Sequence, residues 1–225
     1  MIRTLLFDAG NTLVYVNMEE VSRTLARHGT RVSAEALWKA EYRTRTRLDD
    51  PARIASSTDL SRWKTYFEWL LEEAGIRIDA RPVLEELKAY HEAHNLWEVV
   101  PPFVPPLLER LKPRYRMGVV SNANGSVVRK LTRLGLARHF DAILDSHTEG
   151  VEKPDPRIFR IALERLGARP EEALHVGDFY HVDVTGARSA GIRAVLLDPA
   201  GLHGDKDCDR IRSLEEFEQL LAQRV

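Results

Sequence analysis

The segment Leu5–Tyr15, LLFDAGNTLVY, decides the fold. Extended back to Ile2, it begins with an apolar run that is too short for a helix and predicts a buried strand. The run ends in an acid, Asp8, and a turn of small residues that includes Thr12 follows at once. This pattern presents a carboxylate at the tip of a strand.

Strand and helix patterns alternate in the second half of the chain. Apolar runs predict strands at RMGVVSN (116–122), FDAILDS (140–146), ALHVGD (173–178) and RAVLLD (193–198). Helical spacing marks GSVVRKLTRLGL (125–136), DPRIFRIALERLG (155–167), VTGARSAG (184–191) and SLEEFEQLLAQR (213–224). This alternation predicts an α/β fold, a parallel sheet covered by helices, which the strand before Asp8 joins. The acidic GDKDCD (204–209) is interpreted as a surface loop.

The region between these parts is different, because it is rich in Glu, Arg, Ala and Leu at helical spacing. Helices are predicted at SAEALWKAEY (33–42), DLSRWKTYFEWLLEEAGI (59–76) and RPVLEELKAYHEAH (81–94). We therefore predict an all-helical insertion, 17–97, within a core formed by 1–16 and 98–225. The arginines at 43, 45 and 47 are interpreted as a solvated helix face. The proline-rich VVPPFVPP (99–106) predicts an extended linker.

Composition narrows the class of protein. The net charge is −1, and no basic stripe with interleaved aromatic residues is present, so we expect neither nucleic acid nor a membrane as partner. Cys208 is the only cysteine, which fits a reducing, cytoplasmic compartment. Met1 leads directly into the first strand, so we expect no signal peptide.

Three polar residues, Asp8, Ser121 and Asp178, stand at the carboxyl ends of predicted strands. Ligands of parallel sheets bind beyond these ends, so we expect one common site. Asp8 fits a nucleophile or a metal ligand, but equally a carboxylate that caps a turn. Thr12 fits an anion ligand or a turn cap. Ser121 and Asn122 fit a phosphate site at a helix start or an ordinary N-cap.

The loops contribute charge to this site. Lys153, held between Glu152 and a proline, fits an ammonium that neutralises a carboxylate and a transferring oxyanion, or simply a surface lysine. Asp178 and Asp183 supply the hard oxygen ligands that Mg²⁺ prefers, or they are structural turn residues. His175 is interpreted as a core histidine whose side chain points away from the strand tip.

Taken together, four segments resemble the motifs of the haloacid dehalogenase-like hydrolase superfamily. FDAGNTL (7–13) is similar to its first motif, VVSN (119–122) to its second, EKPDP (152–156) to its third and HVGDFYHVDVTGA (175–187) to its fourth. The resemblance implies a Rossmann-like core, and it makes the helical insertion the cap domain of that superfamily.

The resemblance also implies a role for each position. Asp8 would be the nucleophile, and it would bind Mg²⁺ together with Asp178 and the backbone carbonyl of Gly10. Lys153 would stabilise charge on Asp8 and on the transferring group, and Asp183 would orient Lys153 or a metal-bound water. The remaining anion ligands would be Ser121, Thr12 and the backbone of Asn122. The implied reaction is hydrolysis of a small phosphorylated metabolite through an aspartyl-phosphate.

Gly10 departs from this pattern, because phosphatases of the superfamily carry there an acid that protonates the leaving group and then activates water. Three interpretations follow. The chain is a phosphatase with a substitute acid or an easy leaving group. Alternatively, it performs phosphonate hydrolysis or dehalogenation, although the acid at Asp178 argues against the latter. In the third, it is a catalytically impaired binding protein.

Overall fold

The computed structural model describes residues 1–223, whose backbone forms two units. One unit joins residues 1–14 to the chain from residue 100 onward, and the other consists of residues 15–99. Up to residue 99 the elements are β1 (Thr4–Phe7), β2 (Tyr15–Val16), α1 (Met18–Arg27), α2 (Ala34–Leu48), α3 (Pro51–Ser56), α4 (Asp59–Glu73), α5 (Arg81–His94) and β3 (Trp97–Val99).

The remaining elements belong to the first unit. They are α6 (Val104–Leu111), β4 (Arg116–Ser121), α7 (Val127–Arg133), β5 (Ala142–Asp145), α8 (Ser146–Glu149), α9 (Pro156–Leu166), β6 (Ala173–Gly177), α10 (Thr185–Ser189), β7 (Arg193–Leu197), β8 (Asp209–Ile211) and α11 (Glu215–Ala222). A single π-helical turn, Tyr180–Val184, leads into α10. Within the described residues, no helix is long and apolar enough to cross a membrane.

The first unit is built on a six-stranded sheet with the order β5-β4-β1-β6-β7-β8. Every neighbouring pair is parallel. The four central strands are almost entirely buried because helices cover the sheet, as is usual for parallel sheets. The predicted α/β fold with a Rossmann-like core is therefore confirmed.

The strand order also locates the site. From β1 the chain builds the sheet in one direction through β4 and β5, and it then returns to place β6 on the other side of β1. Phe7 of β1 lies opposite both Val119 of β4 and Val176 of β6. Ligands of such sheets bind at the point where the strand order reverses. Asp8, directly after Phe7, stands at this point.

The second unit is helical apart from a two-stranded antiparallel ribbon, in which Tyr15 pairs with Val99 and Val16 with Trp97. Four of its helices, α1 to α4, begin at side-chain caps: Asn17, Ser33, Asp50 and Thr58. In the described chain between 17 and 94, every regular element is a helix. The prediction of an all-helical insertion over 17–97 did not include the ribbon, whose strand β3 begins at Trp97.

Arg45 is not on a solvated face as the sequence suggested. It is 4% exposed, and its Nε lies 2.8 Å from Oε1 of Glu41, which is completely buried. Tyr66 donates a hydrogen bond to the same Glu41 oxygen at 3.1 Å. The other two arginines do lie at the surface, where Arg43 pairs with Glu73 and Arg47 with Glu72. A run of alternate arginines spans several faces of a helix, so their environments differ.

Other local predictions also need correction. The proline-rich linker is not extended throughout, because Pro105 and Pro106 lie in the first turn of α6, where a missing N–H is tolerated. The predicted loop 204–209 ends in the short edge strand β8, whose charged residues hid its strand character. The closing helix is found as α11; its predicted last residue, Arg224, lies outside the described residues.

Candidate active site

The turn after β1 fixes the position of Asp8. The backbone N–H of Asp8 continues the sheet by donating to the carbonyl of Val176 at 2.9 Å. The chain then reverses, since the N–H groups of Leu13 and Val14 both donate to the carbonyl of Ala9. Asn11 takes the left-handed conformation that this turn requires, with φ of 52°. The Asp8 side chain is thereby held, 7% exposed, at the edge of the sheet.

Lys153 joins two of the predicted acids. Its Nζ donates to Oδ1 of Asp8 at 2.6 Å and to Oδ1 of Asp183 at 2.7 Å. Lys153 is 1% exposed, so this contact is shielded from water. A buried ammonium is stable only when anions neutralise it, and here two carboxylates share that role.

Two hydrogen-bonding contacts and the absence of a side chain at Gly177 fix the position of the Asp183 carboxylate. Its Oδ2 accepts from the backbone N–H of Phe179 at 3.0 Å, and its Oδ1 also contacts Nε2 of His175 at 3.0 Å. A Cβ on Gly177 would lie 2.2 Å from Cγ of Asp183. Gly177 is therefore required for the carboxylate to approach the backbone this closely.

The pKa values of the two carboxyl groups in this cluster are shifted in opposite directions. Burial raises the pKa of Asp8 and the charge of Asp183 adds to this, against the opposing effect of Lys153. Burial also acts to raise the pKa of Asp183, but Lys153 and His175 outweigh it and hold that pKa well below its usual range. For Lys153, burial acts to lower the pKa, but the attraction of both carboxylates outweighs it and raises the pKa. Lys153 and Asp183 therefore form a stable ion pair beside Asp8.

Two of the predicted anion ligands carry buried hydroxyl groups. Thr12 is completely buried, and its Oγ1 has no hydrogen-bond partner within the described residues. Ser121 is buried at the end of β4, where its hydroxyl lies at a long distance, 3.4 Å, from the carbonyl of Asn122. Both hydroxyls can therefore donate a hydrogen bond to a new acceptor, such as a phosphate oxygen.

Asn122 has a contact that the sequence did not predict. Its side-chain Oδ1 accepts from the N–H of Lys153 at 2.8 Å, and its Nδ2 donates to the carbonyl of Lys153 at 2.9 Å. The expectation concerned only its backbone as an anion ligand. The residue type and position gave no indication of this pairing, because it joins two loops that are 31 residues apart.

Among residues 1–223, the metal ligands proposed from the sequence do not form a cluster of three or more ligating side chains. Asp178 is 5% exposed and follows Gly177 at the end of β6, the strand next to β1. Among the described residues, no group of three or more His, Cys, Asp or Glu side chains is arranged to hold a metal ion. A metal held by Asp8 and Asp178 would therefore need a further ligand of another kind, such as the backbone carbonyl of Gly10.

The prediction that His175 is a buried core residue is confirmed. The prediction that its side chain points away from the site is wrong. His175 is completely buried, and its ring lies edge-on to Phe159 with the centroids 5.0 Å apart. Nevertheless its Nε2 reaches Asp183, so the side chain does not point away as expected. A lone histidine in an apolar strand was the only signal in the sequence.

An open parallel sheet with an acid–lysine–acid cluster at its switch point is the architecture of a ligand-binding α/β protein. Residues 2–191 match the haloacid dehalogenase-like hydrolase family, and the chain belongs to that family. The resemblance found in the four motifs is thus confirmed, and the chain is a hydrolase.

Relatives with named activities include phosphatases and a dehalogenase. The glyceraldehyde 3-phosphate phosphatase of Methanopyrus kandleri is 31% identical over 204 residues, which are 88% of this chain and 84% of that protein. The phosphoserine phosphatase of Thermus thermophilus is 36% identical over 165 residues, 73% of this chain and 63% of that protein. The crystal structure of a 2-haloacid dehalogenase from Pseudomonas syringae is 29% identical, with a TM-score of 0.62 over the full length of both chains.

Proposed function

We propose that this chain is a Mg²⁺-dependent phosphatase that hydrolyses small phosphorylated metabolites through an aspartyl-phosphate on Asp8. The observation that carries the proposal is the buried ammonium of Lys153, which contacts both Asp8 and Asp183 at the switch point of the sheet. The two relatives named as phosphatases of small phosphate esters support this reaction class.

The proposed chemistry divides one displacement into two steps. A carboxylate oxygen of Asp8 attacks phosphorus, the bond from phosphorus to the leaving oxygen breaks, and that oxygen departs with the bonding electrons. Water then attacks the aspartyl-phosphate, releasing inorganic phosphate and restoring Asp8. Lys153 stabilises the negative charge on the phosphoryl oxygens. The hydroxyls of Thr12 and Ser121 and the backbone of Asn122 orient the group.

The residues present fit a magnesium ion. Mg²⁺ prefers oxygen ligands, and Asp8 and Asp178 are buried carboxylates at the ends of adjacent strands. We assign them, with the carbonyl of Gly10, as its protein ligands. When bound, the ion would neutralise the phosphate and the developing charge on it. Burial raises the pKa of Asp8, and a bound cation would favour its ionised form.

Gly10 determines which phosphates react fast. A glycine cannot protonate a leaving oxygen, and general acid–base catalysis typically contributes about 10²–10⁴-fold. Aryl and acyl phosphates release weakly basic oxygens and need little protonation. We therefore expect them to react faster than alkyl phosphates.

Dehalogenation is the second candidate, because the solved dehalogenase is similar in both fold and sequence. Displacement of halide needs no protonated leaving group, so Gly10 is compatible with it. Such dehalogenases work without a metal, however, and the acid at Asp178 has no role in them. Phosphonate hydrolysis and a pure binding role remain further outcomes of the test below.

The test measures phosphate release with and without Mg²⁺ from p-nitrophenyl phosphate, acetyl phosphate, phosphoserine and glyceraldehyde 3-phosphate. Halide release from a 2-haloacid and phosphate release from a phosphonate are measured in parallel. We expect Mg²⁺-dependent phosphate release that is lost in Asp8→Asn. The matched control is Asp207→Asn, which makes the same change at an exposed acid in the loop before β8. Halide release without Mg²⁺, or no turnover of any substrate, would contradict the proposal.

A further inference from the structure

The sheet geometry places His175 beneath Asp183. Alternate residues of a strand face the same side, so His175 and Gly177 of β6 share one face of the sheet. The Asp183 carboxylate lies over Gly177, close enough that no Cβ would fit there. His175, two residues earlier on the same face, reaches that carboxylate with Nε2 at 3.0 Å.

The surroundings of the imidazole define its tautomer. Asp183 accepts from the Lys153 ammonium and the Phe179 N–H, as expected for an ionised carboxylate. The Nε2 atom that faces it must therefore carry a proton. The Nδ1 atom is buried and has no hydrogen-bond partner within the described residues. A proton on Nδ1 would be a buried donor without an acceptor, so the geometry favours the tautomer with its proton on Nε2.

His175 and Lys153 converge on a single atom. Both lie within hydrogen-bond distance of Oδ1 of Asp183, at 3.0 and 2.7 Å. The orientation of the Asp183 carboxylate therefore helps to fix the position of the Lys153 ammonium relative to Asp8. Without the imidazole, only Phe179 and Lys153 itself would orient the carboxylate.

We propose that His175 is a positioning residue, which donates from Nε2 to Asp183 and so keeps the Lys153 ammonium against Asp8. The expected effect of His175 on turnover rests on the proposed function. Its expected effect on the position of the Lys153 ammonium does not. His175 does not act on the substrate itself, because it is completely buried and its contact is with Asp183.

Three variants separate the hydrogen bond from mere packing. In His175→Gln the amide nitrogen takes nearly the place of Nε2 and can still donate to Asp183. In His175→Asn the amide nitrogen corresponds to Nδ1 and cannot reach it. His175→Leu fills the space without a donor. With p-nitrophenyl phosphate and Mg²⁺, we expect Gln to retain most of the turnover, and Asn and Leu to lose up to about 10²-fold, the scale of a misplaced catalytic group.

Two readouts do not depend on turnover. We expect ¹⁵N NMR of the imidazole to show the neutral Nε2–H tautomer in the wild-type chain. Acylation of Lys153 by acetic anhydride, followed by mass spectrometry, should be slow in the wild type and in the Gln variant, and faster in the Asn and Leu variants. Thermal melting confirms that each variant is folded.

The outcomes distinguish the two proposals. If the wild type hydrolyses no phosphate but Lys153 labelling follows the expected order, the proposed function fails and the role of His175 stands. An Nδ1–H tautomer would overturn the inference. So would Asn and Leu variants that match Gln in both labelling and turnover.

Discussion

The side-chain amide of Asn122 makes two hydrogen bonds with the backbone of Lys153, accepting from its N–H at 2.8 Å and donating to its carbonyl at 2.9 Å. Asn122 follows β4, whereas Lys153 lies in the loop before α9. The pair therefore ties the loop that carries the ammonium to the strand next to Asp8. The backbone of Lys153 is positioned by Asn122, and its side chain by the two carboxylates.

Asn122→Asp should impair this connection almost without a change of size. A carboxylate can accept from the Lys153 N–H but cannot donate to its carbonyl, so two oxygens would face each other. We expect a loss of about 1–2 kcal/mol in the free energy of unfolding and up to about 10²-fold slower phosphate release. Urea denaturation and steady-state kinetics measure the two effects. Asn124→Asp, at an exposed asparagine of the same loop, is the control, and an equal loss there would refute the prediction.

Gly177→Ala tests the close approach of Asp183 to the backbone. The added methyl would lie 2.2 Å from Cγ of Asp183, so the carboxylate must move away from Lys153 and His175. Overpacking of this kind costs about 1–3 kcal/mol of stability. We expect that loss together with slower phosphate release. Gly204→Ala is the control, since a Cβ at Gly204 meets no atom within 4 Å. A Gly177→Ala variant as stable and active as this control would contradict the packing argument.

The location of the site was predictable because it follows from the direction in which the strands run. Apolar runs mark the strands locally, and in a parallel sheet their carboxyl ends meet at one edge. Asp8, Ser121 and Asp178 were therefore predicted as neighbours before any contact was known. The strand order around β1 then places this edge at a switch point.

The contacts between loops were not predictable in the same way. Which oxygen of Asp183 meets Lys153, and that His175 meets it too, depends on side-chain rotamers and on the π-helical turn that carries Asp183. The amide pairing of Asn122 likewise needs two distant loops in register. Charged residues concealed the edge strand β8, and alternate arginines concealed the burial of Arg45. In each case tertiary packing overrode a local pattern.

Glu20 should make the stability of residues 15–99 depend on pH. Burial acts to raise the pKa of Glu20, but hydrogen bonds from Arg27 and Arg23 outweigh it and hold the pKa below its usual value. An acid with a lowered pKa in the folded state stabilises above its unfolded pKa, and this stabilisation is lost as the pH falls. Glu20→Gln should therefore reduce the free energy of unfolding at pH 7 by about 1–2 kcal/mol, with a smaller difference below pH 4.5.

Tryptophan fluorescence during urea denaturation isolates this effect, because all four tryptophans lie within residues 15–99. The control is Glu35→Gln, which removes only an exposed pairing with Lys39 and should leave the transition unchanged. A difference between Glu20→Gln and the wild type that grows toward acid pH would contradict the assigned direction of the pKa.

If the proposed function holds, Gly10→Asp should extend catalysis to phosphates whose leaving oxygen is a strong base. Gly10 is not among the glycines of the described chain that adopt a positive φ, so its backbone conformation does not require glycine. A carboxyl group there would protonate leaving oxygens that are strong bases. We expect phosphate release from phosphoserine to rise by about 10²–10⁴-fold, and release from p-nitrophenyl phosphate to change little, because its leaving oxygen needs no proton.

Gly204→Asp adds the same charge to an open loop position of the same unit and should change neither rate. A rise on both substrates would instead indicate a general effect on the binding of phosphate or Mg²⁺. An unchanged rate on phosphoserine would show that another group already supplies the proton, and it would refute the idea that the missing acid limits the reaction.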